Sequence, residues 1–413
     1  MYNKNGDYMK KLLVIIFIFF ITGCTFYDEY KMPKKVYIEI KDSSFEVYDK
    51  HLVKELIVKK NVKITNLKEE LNTSKIGENK VTIKYKYKNR DYKYDVTYKI
   101  IDTKPPITLH APKEYNYTIK DDVDDFCSHA SFIDNYDRKV KCKIMNDYDL
   151  NKPGTYNLEY VFYDSSNNKT TESFTLTISD PNEIKDDSID ELVNENDEYE
   201  DEEAGILFSD VINKYKTKDT MIGIDISRWQ GDIDFNKIKN AGCEFVIIRM
   251  AVSNGPNDEI GLDSYFKQNL KKAKEAGLKV GVYVYTSASK KDEIIKQAKF
   301  IKKELKKEKL DFPIAYDFES WSDIRELKLN TYDLMNYINE FYRIVNEDGY
   351  EVMLYSSKNY LEKVWLNDTY PVWLAHYTDE TTYNGDYIMW QMCSDGKIDG
   401  IDGDVDIDIY YKK

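Results

Sequence analysis

Alternating hydrophobic and polar positions predict β-strands through the first half of the chain. Between Val36 and Thr103 the alternation forms three runs, Val36–Ile40, Val81–Tyr87 and Tyr92–Ile101. Alternation with a period of two, in β-branched and tyrosine residues, is typical of half-buried antiparallel strands. We therefore expect a β-sandwich-like domain at residues 33–104.

A second β-rich unit is predicted at residues 105–180. Strands at Tyr156–Tyr163 and Phe174–Ile178 are separated by turn-forming residues, and both units have the size of a small β-sandwich. The stretch from Lys152 to Asn168 resembles the end of bacterial immunoglobulin-like surface domains, which implies a spacer. Cys127 and Cys142 lie in this unit, where they either form a disulfide or remain two separate thiols.

From Met221 onwards the pattern changes to strands that alternate with helices. Apolar residues recur at helical spacing before Gly277, from Ile294 to Leu305, and in a helix for which Thr331 is the expected N-cap and Gly349 the stop. Eight strands are predicted, at Met221–Ser227, Phe245–Val252, Lys279–Ser287, Phe312–Glu319, Glu351–Ser356, Tyr370–Tyr377, Ile388–Cys393 and Val405–Tyr411. Helices separate the first five strands, and the last three have little room for them. This order predicts an irregular α/β, TIM-like barrel at residues 221–413.

The distribution of charge predicts an acidic linker and argues against nucleic-acid binding. The 413 residues have a net charge of −14, and the segment from Asp180 to Glu203 has 13 acidic residues against Lys185 alone. Such a run repels itself and cannot bury a core, so residues 181–220 are predicted to be a linker. The rest of the chain is close to neutral and has no concentrated basic face, which argues against nucleic-acid binding.

The N-terminus has the parts of an export signal. Lys10 and Lys11 precede the apolar run Leu12–Ile21, which is too short to span a membrane and predicts a signal peptide at residues 1–24. The residues from Ile21 to Cys24 resemble the lipobox of bacterial lipoproteins. This implies that Cys24 is acylated and that the mature protein is anchored outside the cell membrane, facing the cell wall. The alternative is an ordinary signal peptide with an incidental cysteine.

Acidic residues interrupt the apolar strands of the C-terminal half. Asp225 lies in the first strand, Asp317 and Glu319 lie in the fourth, and Asp406 lies in the eighth. Residues at i and i+2 of a strand share a face, and strand ends form the catalytic face of a parallel barrel, so these carboxyl groups are expected to converge. Crowded carboxylates raise one another's pKa, which keeps a proton available for cleavage of a glycosidic bond.

Six ordered motifs of this region resemble glycoside hydrolase family 25 lysozymes. They are Gly223–Phe235, Gly281–Tyr285, Asp317–Glu319, Trp373–Tyr377, Trp390-Gln391 and Val405–Ile407. The resemblance implies a (β/α)5(β)3 barrel and a muramidase, which cleaves the β-1,4 bond between N-acetylmuramic acid and N-acetylglucosamine in peptidoglycan.

The resemblance also implies roles for individual residues. Glu319 is the expected general acid, and Asp317 either holds a substrate acetamido group or stabilises positive charge at the anomeric carbon. Asp225 and Asp406 complete the acidic cleft, and Asp408 stands where the family often has asparagine. The expected substrate-binding residues are Trp229, Tyr283, Tyr285, Tyr316, Tyr355, Trp373, His376, Tyr377, Trp390 and Gln391.

Other functions fit the sequence less well. The four histidines lack zinc-ligand spacing, and the aspartates from Asp402 to Asp408 lack the glycine and glutamate of a calcium loop, so neither a metal nor a cofactor is expected. Two alternatives stay open: an endo-N-acetylglucosaminidase or chitinase-like barrel, and a surface lipoprotein that binds glycan without cleaving it. The expected partners are peptidoglycan glycan strands and, through the lipid anchor, the membrane, with the protein acting as a monomer.

Overall fold

The chain forms two compact units, Met1–Thr103 and Lys104–Lys413. The predicted signal peptide, Cys24 and residues 181–204 of the predicted linker lie outside the residues that the computed structural model describes. Among the described residues, none of the helices combines the length and hydrophobicity needed to cross a membrane. The described residues are 33, 35–180, 205–253, 259–319, 321 and 324–412.

The first unit is built from short strands around one long hairpin. Its strands are β1 (Ile38–Ile40), β2 (Ser44–Glu46), β3 (Ile57–Lys60), β4 (Lys63–Ile64), β5 (Gly77–Tyr87) and β6 (Arg90–Ile101). The hairpin of β5 and β6 turns at Lys88 and Asn89, which both have positive φ, as a tight hairpin turn requires. Strands β2, β6, β5 and β4 form one sheet in that order, and β1 pairs with β3.

The second unit begins with another β-rich part, residues 104–180. Its strands are β7 (Ile107–His110), β8 (Glu114–Thr118), β9 (Ser131–Ile133), β10 (Lys141–Met145), β11 (Gly154–Tyr163) and β12 (Lys169–Ser179). Strands β10, β11, β12 and β8 form a sheet in that order, in which Tyr160, Phe162 and Leu176 are fully buried. A disulfide with an S–S distance of 2.02 Å joins Cys127 to Cys142, the pairing that the sequence left open.

The C-terminal part contains a closed ring of eight strands. The strands of this part are β13 (Thr220–Ile226), β14 (Phe245–Val252), β15 (Gly261–Leu262), β16 (Lys279–Thr286), β17 (Ile314–Phe318), β18 (Val352–Ser357), β19 (Val372–Ala375), β20 (Met389–Gly396) and β21 (Val405–Tyr411). All except β15 belong to the ring, which closes because β13 pairs with both β14 and β21. Neighbouring strands are parallel, except that β21 is antiparallel to β13 and β20. The distorted barrel-like α/β fold predicted for this region is therefore confirmed.

Helices cover the outside of the ring. They are α1 (Phe208–Tyr215), α2 (Phe235–Asn240), α3 (Phe266–Glu275), α4 (Lys291–Leu305), α5 (Ile324–Leu327), α6 (Thr331–Val345) and α7 (Lys358–Lys363). Helix α6 begins one residue earlier than predicted, because Asn330 rather than Thr331 is its N-cap. It ends at Val345, and Gly349 closes a short 3-10 turn that follows.

Helix α1 corrects the predicted extent of the linker. Its residues lie within 181–220, yet Phe208 and Val211 are buried in the core of the barrel. Ile206 and Phe208 also exchange backbone hydrogen bonds with Lys397. The ordered barrel therefore begins by residue 206, because an apolar helix face follows the acidic run directly.

Strand alternation divides the barrel into two apolar layers. Met221, Met353 and Trp373 belong to a cluster inside the ring, whereas Ile222, Ile224 and Leu354 pack outside it against the helices. Side chains of one strand therefore point alternately into the barrel and under the helices. This alternation decides which polar side chains reach the inside of the barrel.

Candidate active site

Four carboxyl-bearing residues lie at one end of the barrel interior. Asp225 of β13 is the register partner of Asp406 of β21, and both share the inward face with Met221. Asp317 of β17 also points inward, because its neighbour Ala315 lies in the inner cluster. Glu319 follows directly after β17. The fold therefore brings these four residues to the same end of the barrel interior.

An amide side chain orients Asp225. The Nε2 of Gln391 donates to Oδ2 of Asp225 at 2.8 Å. The hydroxyls of Tyr355 and Tyr377 donate to Oε1 of the same Gln391 at 2.8 and 3.1 Å. These two hydroxyls fix which end of the amide faces the carboxylate, so Gln391 is held as a donor to Asp225.

Asp408 pairs with Asp225 below the cleft. Its side chain is fully buried, and its Oδ1 accepts a hydrogen bond from Nε1 of Trp373 at 2.8 Å. The charge of its carboxyl group raises the pKa of Asp225. Ionisation of both groups is unfavourable, because each buried charge loses its hydration and repels the other.

Burial and mutual repulsion raise the pKa values of the whole group. Loss of solvation is the largest cause for each carboxyl, and it raises the pKa of Asp406 to about 9. The pKa of Asp225 is raised well above its usual range by burial and then by the charge of Asp408. The pKa of Asp317 is also raised strongly, by burial and then by Glu319, against the opposing charge of Arg249. Such a cluster retains protons at neutral pH.

Glu319 lies at the mouth of the barrel. Its side chain reaches solvent, yet the protein around it removes enough water to raise its pKa. The neighbouring hydroxyl of Tyr355 opposes that shift and lowers the pKa of Glu319. Glu319 borders a hollow of about 470 Å³ that is also lined by Tyr355, Ser357, Lys358, Asn359, Glu362, Ala375, His376 and Tyr377. A raised pKa at a solvent-accessible carboxyl is what a general acid requires.

Most of the predicted binding residues lie around this hollow or on the inward face. Tyr355, His376 and Tyr377 line the hollow, and Tyr283 and Tyr285 point inward from β16. Trp229 is 73% exposed on the loop after β13, with the Arg228 guanidinium 4.6 Å from the centre of its ring. These side chains are available to a ligand that enters the open end of the barrel.

Three predicted binding residues are placed differently. Tyr316 packs under α6 against Phe341, and Trp390 packs against Tyr215 on the outer face. Trp373 points inward but is 1% exposed, beneath Tyr283 and Tyr355. The prediction of substrate contact is corrected for all three, since strand alternation turns Tyr316 and Trp390 away from the carboxyl groups and Trp373 forms the floor.

A buried cation, not singled out from the sequence, accompanies the carboxyl groups. Arg249 of β14 points inward beside Tyr283, and its guanidinium contacts Asp263 at 2.8 Å. Asp263 also accepts a hydrogen bond from the backbone of Arg228 at 3.0 Å, which ties the Trp229 loop to the same group. The sequence does contain a signal for this residue. Arg249 is a charged residue within the apolar run Phe245–Val252, just as Asp225 is a charged residue within the first barrel strand.

Comparison with known proteins finds a family model that matches this region. The family model described as Glycosyl hydrolases family 25 matches residues 224–401. The autolytic lysozyme of Clostridium acetobutylicum is 30% identical over 197 residues, which are 46% of this chain and 55% of that protein. The YegX protein of Escherichia coli strain K12, described as uncharacterized, is 28% identical over 197 residues, 46% of this chain and 70% of that protein.

A solved structure aligns with about half of the chain. It is that of the modular autolysin LytC from Streptococcus pneumoniae in complex with a synthetic peptidoglycan ligand. The sequence identity is 27%, the alignment covers 48% of each chain, and the TM-score is 0.42. The family match confirms the resemblance on which the sequence-based prediction rested.

Proposed function

Because residues 224–401 are a glycosyl hydrolase family 25 domain, we propose that the protein cleaves the β-1,4 bond between N-acetylmuramic acid and N-acetylglucosamine in peptidoglycan. The main support is the group of Asp225, Asp317, Glu319 and Asp406 at the open end of the barrel. Glycosidic cleavage needs a protonated carboxyl beside ionised ones, and this group provides both.

In this proposal Glu319 is the general acid. Its raised pKa favours the protonated carboxyl, and its place at the mouth of the barrel gives it access to the leaving oxygen. When the proton leaves, the hydroxyl of Tyr355 can turn its one hydrogen from Gln391 to the carboxylate that forms. Tyr355 thereby connects Glu319 to Gln391 and, through it, to Asp225.

Two roles for Asp317 fit its position. Either its carboxylate accepts a hydrogen bond from the substrate acetamido N–H, or it stabilises positive charge as the glycosidic bond breaks. In both roles it must be ionised during the reaction. Arg249 supports that state, because its positive charge lowers the pKa of Asp317 against the effect of burial.

Asp225 and Asp406 complete the acidic cleft in this proposal. The charge of Asp225 raises the pKa of Asp317 and Asp406, and the charge of Asp406 raises that of Asp408, which favours a proton within the cluster. Gln391 holds Asp225 in place through its hydrogen bond.

The test compares two carboxyl groups of the same hollow. Glu319→Gln should reduce release of soluble fragments from purified peptidoglycan at least about 100-fold, as expected for loss of a general acid. Glu362→Gln removes an exposed carboxyl from the same wall and should keep most of the activity. Circular dichroism should show both variants folded. Full turnover by Glu319→Gln would refute the assignment.

We also propose the finer architecture and location of the chain. Five strand-helix pairs followed by three strands support a TIM-like (β/α)5(β)3 barrel, and the N-terminal sheets support two immunoglobulin-like sandwiches that act as spacers. The lipobox-like sequence at Cys24 supports acylation of a monomeric protein that is anchored outside the cell membrane and faces the cell wall. Radiolabelled palmitate should be incorporated by the natural chain and lost in Cys24→Ala.

A further inference from the structure

The β-rich part at residues 104–180 packs directly against the barrel. Arg138 donates two hydrogen bonds of 2.7 Å to the carboxylate of Asp333, a buried residue in the first turn of α6. Ile133 of β9 belongs to the apolar core of the barrel. Two parallel N–H···O hydrogen bonds to one buried carboxylate fix the orientation of the arginine relative to the aspartate. The acidic run therefore connects two parts of the chain that already touch.

A second arginine makes the reverse contact. Arg325 of α5 donates through Nη1 to the backbone oxygens of Cys127 and Ala130, at 2.7 and 2.8 Å, and its guanidinium lies 5.0 Å from the centre of the Phe132 ring. Asn330 donates to the backbone oxygen of Tyr136 at 2.7 Å. The disulfide from Cys127 to β10 braces the loop that receives Arg325.

The barrel side of this interface is the segment that follows Glu319. Arg325, Asn330 and Asp333 lie between β17 and the first turn of α6. Two residues after the proposed acid, the backbone N–H of Trp321 donates to the backbone oxygen of Glu319 at 2.7 Å. The β-rich part therefore contacts the same connection that begins with Glu319.

A cleft of about 730 Å³ opens between the two parts. We name it the junction cleft, and it is lined by His110, Ser128–Ser131, Trp321, Arg325, Glu326 and Tyr360. Trp321 stacks on Tyr360 with ring centres 4.0 Å apart. Helix α7 contributes Tyr360 to this cleft and Asn359 to the hollow of Glu319, so the two depressions share a wall.

The lining suits an anionic peptide better than a bare sugar chain. One wall presents two exposed imidazoles and serine hydroxyls. The other presents the carboxyl of Glu326, the stacked aromatic pair and the guanidinium of Arg325, whose Nη1 is bound to backbone oxygens of the first wall. Such groups bind carboxylates and peptide amides. In peptidoglycan, a short peptide with free carboxylates hangs from the lactyl group of the muramyl sugar, beside the bond that Glu319 is proposed to protonate.

We propose that the junction cleft binds this stem peptide, so that residues 104–180 are part of the substrate site. The assignment rests on the proposed function, because it needs a muramyl sugar next to Glu319. It explains why an otherwise separate β-rich part is fixed to the segment that follows Glu319.

The test uses the full chain and two soluble substrates, glycan fragments that retain their stem peptides and the same fragments after an amidase has removed them. The wild type should have a higher kcat/KM on the peptide-bearing fragments. The double variant His110→Ala, His129→Ala should lose about fivefold or more on these and stay within about twofold on bare fragments. Ser128→Trp, which fills the cleft, should behave in the same way. His51→Ala is the matched control and should change neither rate.

Each outcome decides a separate question. Equal loss on both substrates would show that the cleft binds glycan and would overturn the peptide assignment. No preference in the wild type, with no effect of either cleft variant, would overturn the site while leaving the hydrolase intact. No cleavage of either substrate by the wild type would instead overturn the proposed function and the cleft assignment with it. Circular dichroism should confirm that every variant is folded.

Discussion

Replacing Asp408 by asparagine should change how the stability of the barrel depends on pH. The carboxyl of Asp408 is fully buried, and its pKa is raised well above the usual range by burial and then by Asp406. Asparagine has the same shape, can still accept the hydrogen bond from Trp373, and can donate an N–H to Asp225. The substitution therefore removes one titrating proton and keeps the contacts.

The size of the effect follows from proton linkage. In the unfolded chain an aspartate loses its proton at about pH 4, and burial raises the pKa of Asp408 well above that value in the folded protein. A group that is protonated only in the folded state lowers the free energy of unfolding by about 1.4 kcal/mol for each pH unit of rise. A raised pKa stabilises the fold at low pH, and that contribution is lost as the pH rises through the folded-state pKa. Asp408→Asn should therefore make the free energy of unfolding fall less steeply with rising pH, by up to about 1.4 kcal/mol for each pH unit.

Urea unfolding followed by tryptophan fluorescence measures this directly. All five tryptophans lie between Trp229 and Trp390, so their signal reports the barrel alone. Asp402→Asn, at an exposed position in the loop before β21, is the matched control and should keep the wild-type slope. Equal slopes for Asp408→Asn and the wild type would refute the argument that a proton is held at Asp408.

Three further predictions test the site, the barrel and the β-rich part. Tyr355→Phe removes a hydroxyl that lowers the pKa of Glu319, so kcat should fall about tenfold and the alkaline limb of its pH profile should move upward; a downward shift would contradict the assignment. Gly223→Ala should lower the free energy of unfolding by about 1–3 kcal/mol, because its Cβ would lie 2.5 Å from the backbone oxygen of Phe245, whereas Gly261→Ala, which meets open space, should not. Replacing Cys127 and Cys142 by serine should destabilise residues 104–180 by about 3 kcal/mol, since the bridge closes a loop with a sequence separation of 15. Faster hydrogen exchange in β10 and β11 would reveal that loss, and unchanged exchange would contradict it.

Strand periodicity located the elements that position the site. The predicted bounds of Phe245–Val252 and Val405–Tyr411 agree with those of β14 and β21. Because residues two apart in a strand share a face, the sequence predicted that Asp317 and Glu319 lie together at the mouth of the barrel. The same argument excludes Tyr316, which precedes Asp317 and therefore faces the helices. The error at Tyr316 arose because aromatic residues were assigned by proximity in sequence rather than by strand face.

Other features depend on contacts that local patterns do not contain. Arg138 and Asp333 are 195 residues apart, and neither is marked by an unusual local sequence. The pairing of Asp408 with Asp225 depends on the register between the first and last barrel strands, which closes the ring. Helix α1 is different. The apolar spacing of Phe208, Val211 and Ile212 indicates a helix, but this segment was assigned to the linker because an acidic run precedes it.

The most direct test of the proposed activity is mass spectrometry of purified peptidoglycan after digestion with the full chain. Cleavage between N-acetylmuramic acid and N-acetylglucosamine should leave new reducing ends on N-acetylmuramic acid, and these ends should be absent after digestion with Glu319→Gln. New ends on N-acetylglucosamine would show that the barrel cleaves the other bond of the glycan. A folded protein that binds peptidoglycan and produces no new ends would contradict the proposed hydrolase function.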